Sequence, residues 1–343
     1  MRMRFLIRSI TYLTLVIAVG GRAFAQPKAP LTEQQRFALA AEYSSSNQGR
    51  SVLVMKGSKI VFEDYANGQT AELPWVLFSG TKSFTGVMLA AAIEDKIVSG
   101  FDEKASDTLT EWKADKWKKQ ITVRQLLSLT SGIDAGKIGY VPTYAEAVGY
   151  DARYEPGTHF EYGPVPFQAF GELMTRKLRA RNQTVMDYLR SRIIDPIGLN
   201  VAFWRKDKGQ PLLPQGAALT AREWAKFGLF MKDHGKWKGK QLIKKQLLDE
   251  LVVGSKANPA YGVSFWLNHQ GTSPTGMTKN AVTEISSQSL STNVRDLYMA
   301  AGAGNQRLYI IPSLDMVVVR QAQFGNWDDR EFISRLLLGK PAK

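Results

Sequence analysis

The chain has 343 residues, a formal charge of +14 and no cysteine. An apolar fraction of 44% with 10% aromatic residues excludes a disordered chain, and the length fits several domain-sized units or one large α/β body with an insertion. The missing cysteine excludes disulfides, Cys-ligated zinc, iron–sulfur clusters, a thiol nucleophile and a lipid anchor on Cys, whereas the charge by itself fits nucleic acid, an anionic surface or nothing specific.

Residues 1–25 read as a secretory signal. Arg2, Arg4 and Arg8 form a charged start, an apolar run follows from about Ile10 to Gly20, and Ala23 and Ala25 supply small residues at a cleavage site. The apolar run is too short to span a bilayer comfortably. Cleavage after Ala25 takes Arg2, Arg4, Arg8 and Arg22 away with no acid, so the +14 of the full chain becomes +10. An exported chain without cysteine points to a periplasmic or secreted protein, with no stable membrane insertion once the signal is cut.

A helix starts near Thr32 with Glu33 in its first turn. Ser51–Met55 and Lys59–Glu63 read as two strands around the turn Lys56-Gly57-Ser58. Residues 79–98 read as one helix, with Gly100 just past its end. From about 101 to 254 the pattern is mostly helical and broken by Pro and Gly; residues 122–129 and 221–231 are its clearest helices. Strand patterns return at Gly262–Leu267, Leu297–Ala301, Arg307–Ile311 and Met316–Gln321, and Asp329–Leu338 closes the chain as a helix. The predicted fold class is α+β: an antiparallel sheet made from both chain ends, flanked by helices, with an inserted helical domain. The expected units are residues 26–100 with 255–343 for the sheet domain and 101–254 for the helical domain. There is no internal repeat.

Gly-x-Ser-x-Gly, His-Glu-x-x-His, Walker and Gly-x-Gly-x-x-Gly motifs are all absent. The three histidines, His159, His234 and His269, sit in loop-like contexts that suit surface roles better than a triad or a metal site; no metal and no cofactor are expected. The notable segment is Phe78-Ser79-Gly80-Thr81-Lys82. Ser and Lys three apart share one helix face. The helix start offers N–H groups and positive potential to an oxyanion. A serine needs a nearby base, and a lysine serves when burial lowers its pKa. Taken alone, the motif is short, and a helix-capping Ser79 with a solvated Lys82 is its plainer reading.

Its surroundings decide. Trp75-Val-Leu-Phe-Ser-Gly-Thr-Lys-Ser-Phe84, Ile121–Ile133, Tyr154–Tyr162, Ile194–Leu199, Leu219–Gly228 and Ala301–Gln306 with Tyr309–Pro312 and Val317–Val319 together resemble the serine β-lactamase and penicillin-binding-protein superfamily. The match is to its class C-like branch of esterases, D-amino-acid peptidases and 6-aminohexanoate-dimer hydrolases. The resemblance covers nearly all of the chain after residue 25. It implies a β-lactamase/transpeptidase-like fold with Ser79 as acylated nucleophile, Lys82 as its activating partner and Tyr162 as second base. A tyrosinate there requires positive neighbours that lower its pKa. It also implies an oxyanion hole from the Ser79 N–H and a strand N–H, expected at Gln306 or, one residue off, Asn305.

Two positions depart from the family. Its Tyr-x-Asn reads Tyr162-Gly163-Pro164, and proline offers no side-chain donor and no N–H. Its cationic third motif reads Ala303-Gly304, with Arg307 nearby but offset along a strand whose side chains alternate. Gly163, Pro164 and Arg307 are kept as weak substrate-contact candidates. Both losses remove features suited to β-lactams and D-alanyl peptides. The expected function is a periplasmic serine hydrolase acting through an acyl-enzyme on a small-molecule or peptide-like ester or amide. The alternatives are a β-lactam-recognising or D-alanyl peptidase variant and a non-catalytic binding protein on the same scaffold. Trp75, Phe78, Tyr140, Tyr144 and Tyr154 are candidate pocket aromatics, with core packing as the plainer role of each. The basic stretches 112–119 and 236–240 read as solvated loops, not as a nucleic-acid surface.

Overall fold

The computed structural model describes residues 30–269 and 294–342; the expected signal segment lies outside them. Thr32 caps helix α1 (Glu33–Ser46) in a reciprocal box with Gln35, which satisfies two of the donors that a first turn leaves unpaired. The hairpin β1 (Gly49–Lys56) and β2 (Lys59–Tyr65) turns through Gly57 at φ +57°. A short strand β3 (Trp75–Val76) follows, then a tight 3₁₀ turn over Phe78–Thr81, then helix α2 (Lys82–Glu94). The sequence pattern put the helix start at Ser79. In the structure α2 begins at Lys82, because the preceding segment is tied elsewhere: the Leu77 N–H donates to the Ala217 carbonyl at 2.9 Å.

The middle of the chain is less helical than its pattern implies. It holds α3 (Val123–Leu127), α4 (Tyr144–Gly149), α5 (Val165–Leu178) and α6 (Ala221–Lys232). It also holds β4 (Phe203–Trp204) and β5 (Ala217–Leu219), which join β3 in a small antiparallel sheet of order β3–β5–β4. Strands of two or three residues like these carry no periodicity of their own and exist through their partners. The basic stretch 236–240 is a tight hairpin, with Lys238 and Gly239 both at positive φ. In the other basic stretch Trp112 is buried and donates to the Val148 carbonyl at 2.9 Å, so it is core and no stacking platform.

The main sheet comes from both chain ends, as the sequence predicts. β6 (Trp266–Leu267), β7 (Tyr298–Gly302), β8 (Gln306–Ile311) and β9 (Met316–Ala322) continue into β1 and β2 in the order β6–β7–β8–β9–β1–β2, with every neighbour antiparallel. β9 is buried along its whole length, since helices cover both faces. Gly228 lets α6 approach Val317 and Leu308 closely. On the opposite face α1 lies beside α7 (Asp329–Leu338), and Tyr309 stacks on Phe332 with centroids 5.7 Å apart. Each fully buried Val or Leu in these layers contributes about 1.5–3 kcal/mol. Among the described residues, no helix is long and apolar enough to cross a membrane.

Candidate active site

Ser79 sits in the 3₁₀ turn, between two anchored strands. β3 is pinned to β5, and the Thr81 hydroxyl accepts the Ala217 N–H at 3.2 Å. From the other side the end of β7 presses on the turn: a Cβ at Gly302 would lie 2.0 Å from the Leu77 carbonyl oxygen and 3.1 Å from the Gly80 nitrogen, so only glycine permits this approach. Phe78, just before the serine, adopts φ +47°, a left-handed conformation that costs a residue with a side chain about 1–3 kcal/mol. Its ring is held edge-on to Phe324 at 5.8 Å.

Lys82 is 4% exposed. Its Nζ donates to Ser79 Oγ at 3.1 Å and to the Pro214 carbonyl at 3.0 Å. The rings of Tyr162 and Phe167 lie 4.9 and 5.3 Å away. Among the described residues no carboxylate offsets its burial, which pulls its pKa down to about 7. A substantial share of the amine is therefore neutral near pH 7 and able to take a proton from the hydroxyl it touches.

Tyr162 leads into α5, and its ring stacks on Trp266 at 5.5 Å and meets Tyr261 edge-on at 6.1 Å. Burial pushes its pKa up to about 12; a hydrogen bond with Ser79, the charge of Arg307 and a bond with Trp266 pull weakly the other way. The tyrosinate that the sequence reading allowed is thus disfavoured, and the phenol stays protonated at neutral pH. The structure brings Ser79, Lys82 and Tyr162 together; Ser79 and Tyr162 line a cleft of about 580 Å³, with Lys82 buried beside them.

The remaining candidates separate. Ala303 and Asn305 line the cleft, while Gly304 and Gln306 are buried behind them. Gln306 pairs with Gly302 across the β7–β8 hairpin. Its side-chain amide donates to the carbonyls of Gly304 and Ala322 at 2.9 and 2.6 Å and accepts the Ala322 N–H at 3.0 Å, so it clamps the turn. Gly163 and Pro164 are buried as well: a Cβ at Gly163 would lie 2.1 Å from the Ala135 carbonyl oxygen, which makes this a close backbone contact and no substrate surface. Arg307 reaches the cleft, yet its guanidinium grips Asp329 in a fork at 2.8 and 3.1 Å. Strand alternation accounts for this, since Arg307 and Tyr309 face α7 while Leu308 faces α6.

Of the proposed aromatics only Phe78 lines the cleft. Tyr144 is core, Tyr154 stacks on His159, and the Trp75 indole N–H donates to the Ala322 carbonyl. None of the three histidines lines it. The sequence reading missed Pro214, which holds the lysine, and the cleft residues Ile138, Arg205, Gln215, Trp266 and Phe324. They come from four distant segments, and no local motif marks them.

Comparison with known proteins agrees with this architecture. The family model described as Beta-lactamase matches residues 32–337. No curated protein matches the chain. Among solved structures, one described as a 6-aminohexanoate-dimer hydrolase from Bacillus anthracis superposes with a TM-score of 0.68 at 17% identity, covering 87% of this chain and 80% of its own. A D-stereospecific amidohydrolase from Streptomyces sp. gives 0.65 at 16% identity, over 89% and 98% of the two chains. A penicillin-binding-protein homologue from Caulobacter crescentus gives 0.64 at 15%, over 88% and 96%. At such identities these structures speak for the fold, while the family match spans most of the chain: the protein belongs to the Beta-lactamase family of serine hydrolases.

Proposed function

We propose that the protein is an exported serine hydrolase that cleaves an ester or amide through an acyl-enzyme on Ser79. The observation that carries this is the 3.1 Å contact between Ser79 Oγ and a buried Lys82 whose pKa lies at about 7. Neutral Lys82 accepts the Ser79 proton as Oγ bonds to the substrate carbonyl carbon. The oxyanion is held by the Ser79 N–H and, in place of the Gln306 or Asn305 expected from the sequence, by the N–H of Ala303, because the strand meets the nucleophile turn at Gly302, the residue before it. The proton then passes to the departing oxygen or nitrogen, with the protonated Tyr162 hydroxyl as donor in the relay, and the bond from that atom to the carbonyl carbon breaks. Water attacks the acyl carbon, gives up a proton to Lys82, and Ser79 leaves with that proton restored.

Among the described residues the cation nearest the Ala301–Ala303 edge, Arg307, is paired with Asp329, which favours esters or amides over β-lactams. Residues 1–25 support export by their charged start, apolar run and small-residue site. An active-site phosphonate ester should label Ser79 covalently, and Ser79→Ala should abolish both labelling and turnover of nitrophenyl esters. Retained turnover in Ser79→Ala would overturn the assignment, and efficient hydrolysis of nitrocefin would favour the β-lactam alternative.

A further inference from the structure

The cleft holds no acidic side chain among its described lining residues. Its permanent charges are two arginines, and they differ. Arg307 is buried and spent on Asp329 and on the carbonyls of Gly302 and Gln306. Arg205 is exposed, and among the described residues no side-chain hydrogen bond or ion pair involves it. Its backbone, in contrast, is fixed. The Arg205 N–H donates to the Gly216 carbonyl at 3.0 Å, and its own carbonyl accepts the Leu212 N–H at 2.9 Å. The segment it braces carries Pro214, which holds Lys82, and Gln215, an amide that also lines the cleft. An uncommitted guanidinium thus stands on a rigid platform continuous with the catalytic lysine.

We propose that Arg205 is a specificity-determining residue and that the natural ester or amide carries a carboxylate, which Arg205 receives at a position away from the scissile bond. This rests on the hydrolase reading above. A guanidinium presents paired N–H donors that match a carboxylate in a fork. The rest of the substrate lies against Trp266, Phe78, Phe324 and Ile138, an apolar wall that orients the chain without competing for the charge. The net charge of +10 that remains once Arg2, Arg4, Arg8 and Arg22 leave with residues 1–25 (+14 − 4) adds a favourable long-range field for an anion.

The test compares 4-nitrophenyl hydrogen adipate, a carboxylate-bearing ester, with its neutral methyl ester. The wild-type protein should prefer the half-ester. In Arg205→Ala the ratio of kcat/KM for the charged over the neutral ester should fall roughly 10- to 100-fold, the range of a charge-assisted hydrogen bond lost, with the loss in KM and not kcat. Arg205→Lys should restore part of it. A ratio unmoved by Arg205→Ala overturns the proposal while leaving the hydrolase reading intact. If neither ester is turned over, the hydrolase reading fails, and calorimetric binding of the half-ester to Ser79→Ala with and without Arg205→Ala still decides the anion site. Equal binding by the two variants would overturn it.

Discussion

Lys82 does most at the scale of single residues. Its folded pKa, about 7, lies below the 10.5 of an ordinary lysine. Base catalysis needs the neutral amine, so kcat/KM should rise with pH through about 7. Tyr162, pushed up to about 12, should keep the profile flat up to pH 10; a fall centred below 10 would contradict the protonated-phenol role. Lys82→Arg keeps a charge but cannot shed it, and the loss in kcat should be on the order of 10²–10⁴-fold. The same burial bears on stability. Between the folded and unfolded pKa values the unfolded chain binds more protons, so stability rises with pH over that window. Lys82→Met should therefore melt above wild type at pH 7 and lose this advantage toward pH 10.5, readable as Tm against pH.

Secondary elements supply what those residues need. The end of β7 touches the nucleophile turn only because position 302 lacks a Cβ. Gly302→Ala should push the strand away, dropping kcat by at least tenfold, with a smaller effect on Tm. The start of α7 plays a different part. Asp329 accepts from Arg307, from the Trp327 indole at 3.0 Å and from the Tyr309 hydroxyl, so it ties the helix to β8 beneath the cleft. Asp329→Asn breaks a buried pair and leaves Arg307 uncompensated, an expected cost of about 3–5 kcal/mol in urea unfolding. A loss under 1 kcal/mol would show that the pair is not structural.

At the scale of the whole molecule the cleft lies where the small β3–β5–β4 sheet, the main sheet edge and the loops around 138, 205 and 215 meet. Burial of Lys82 depends on segments far apart in the chain: its partner carbonyl comes from Pro214, 132 residues away, and the rings of Tyr162 and Phe167 lie 4.9 and 5.3 Å from it. The charge belongs to this scale too. If residues 1–25 are removed on export, the protein recovered from the periplasm of a bacterial host should begin at Gln26. A recovered N-terminus at Met1 would overturn the signal assignment.

Much of this was legible in the chain itself. The helix start at Thr32 with Glu33 in its first turn, the strand pairs at both ends, the helix from Asp329 and the Ser79-x-x-Lys82 spacing are local patterns, set by backbone capping, by alternation and by the rise of a helical turn. The strand and helix patterns are enough for the fold class, whereas the candidate chemistry, Tyr162 included, also needed the resemblance of the surrounding segments to a known family. The cleft's lining was not legible, because it is made by segments whose contact depends on packing. Gly302 beside Leu77, Gln306 turned inward as a clamp, Arg307 consumed by Asp329 and Arg205 without a side-chain partner among the described residues are outcomes of sheet register and helix placement. A sequence specifies which groups exist and their local spacing, but only the tertiary structure decides which are desolvated and paired, and that sets the pKa of Lys82 and the charge left free for a substrate.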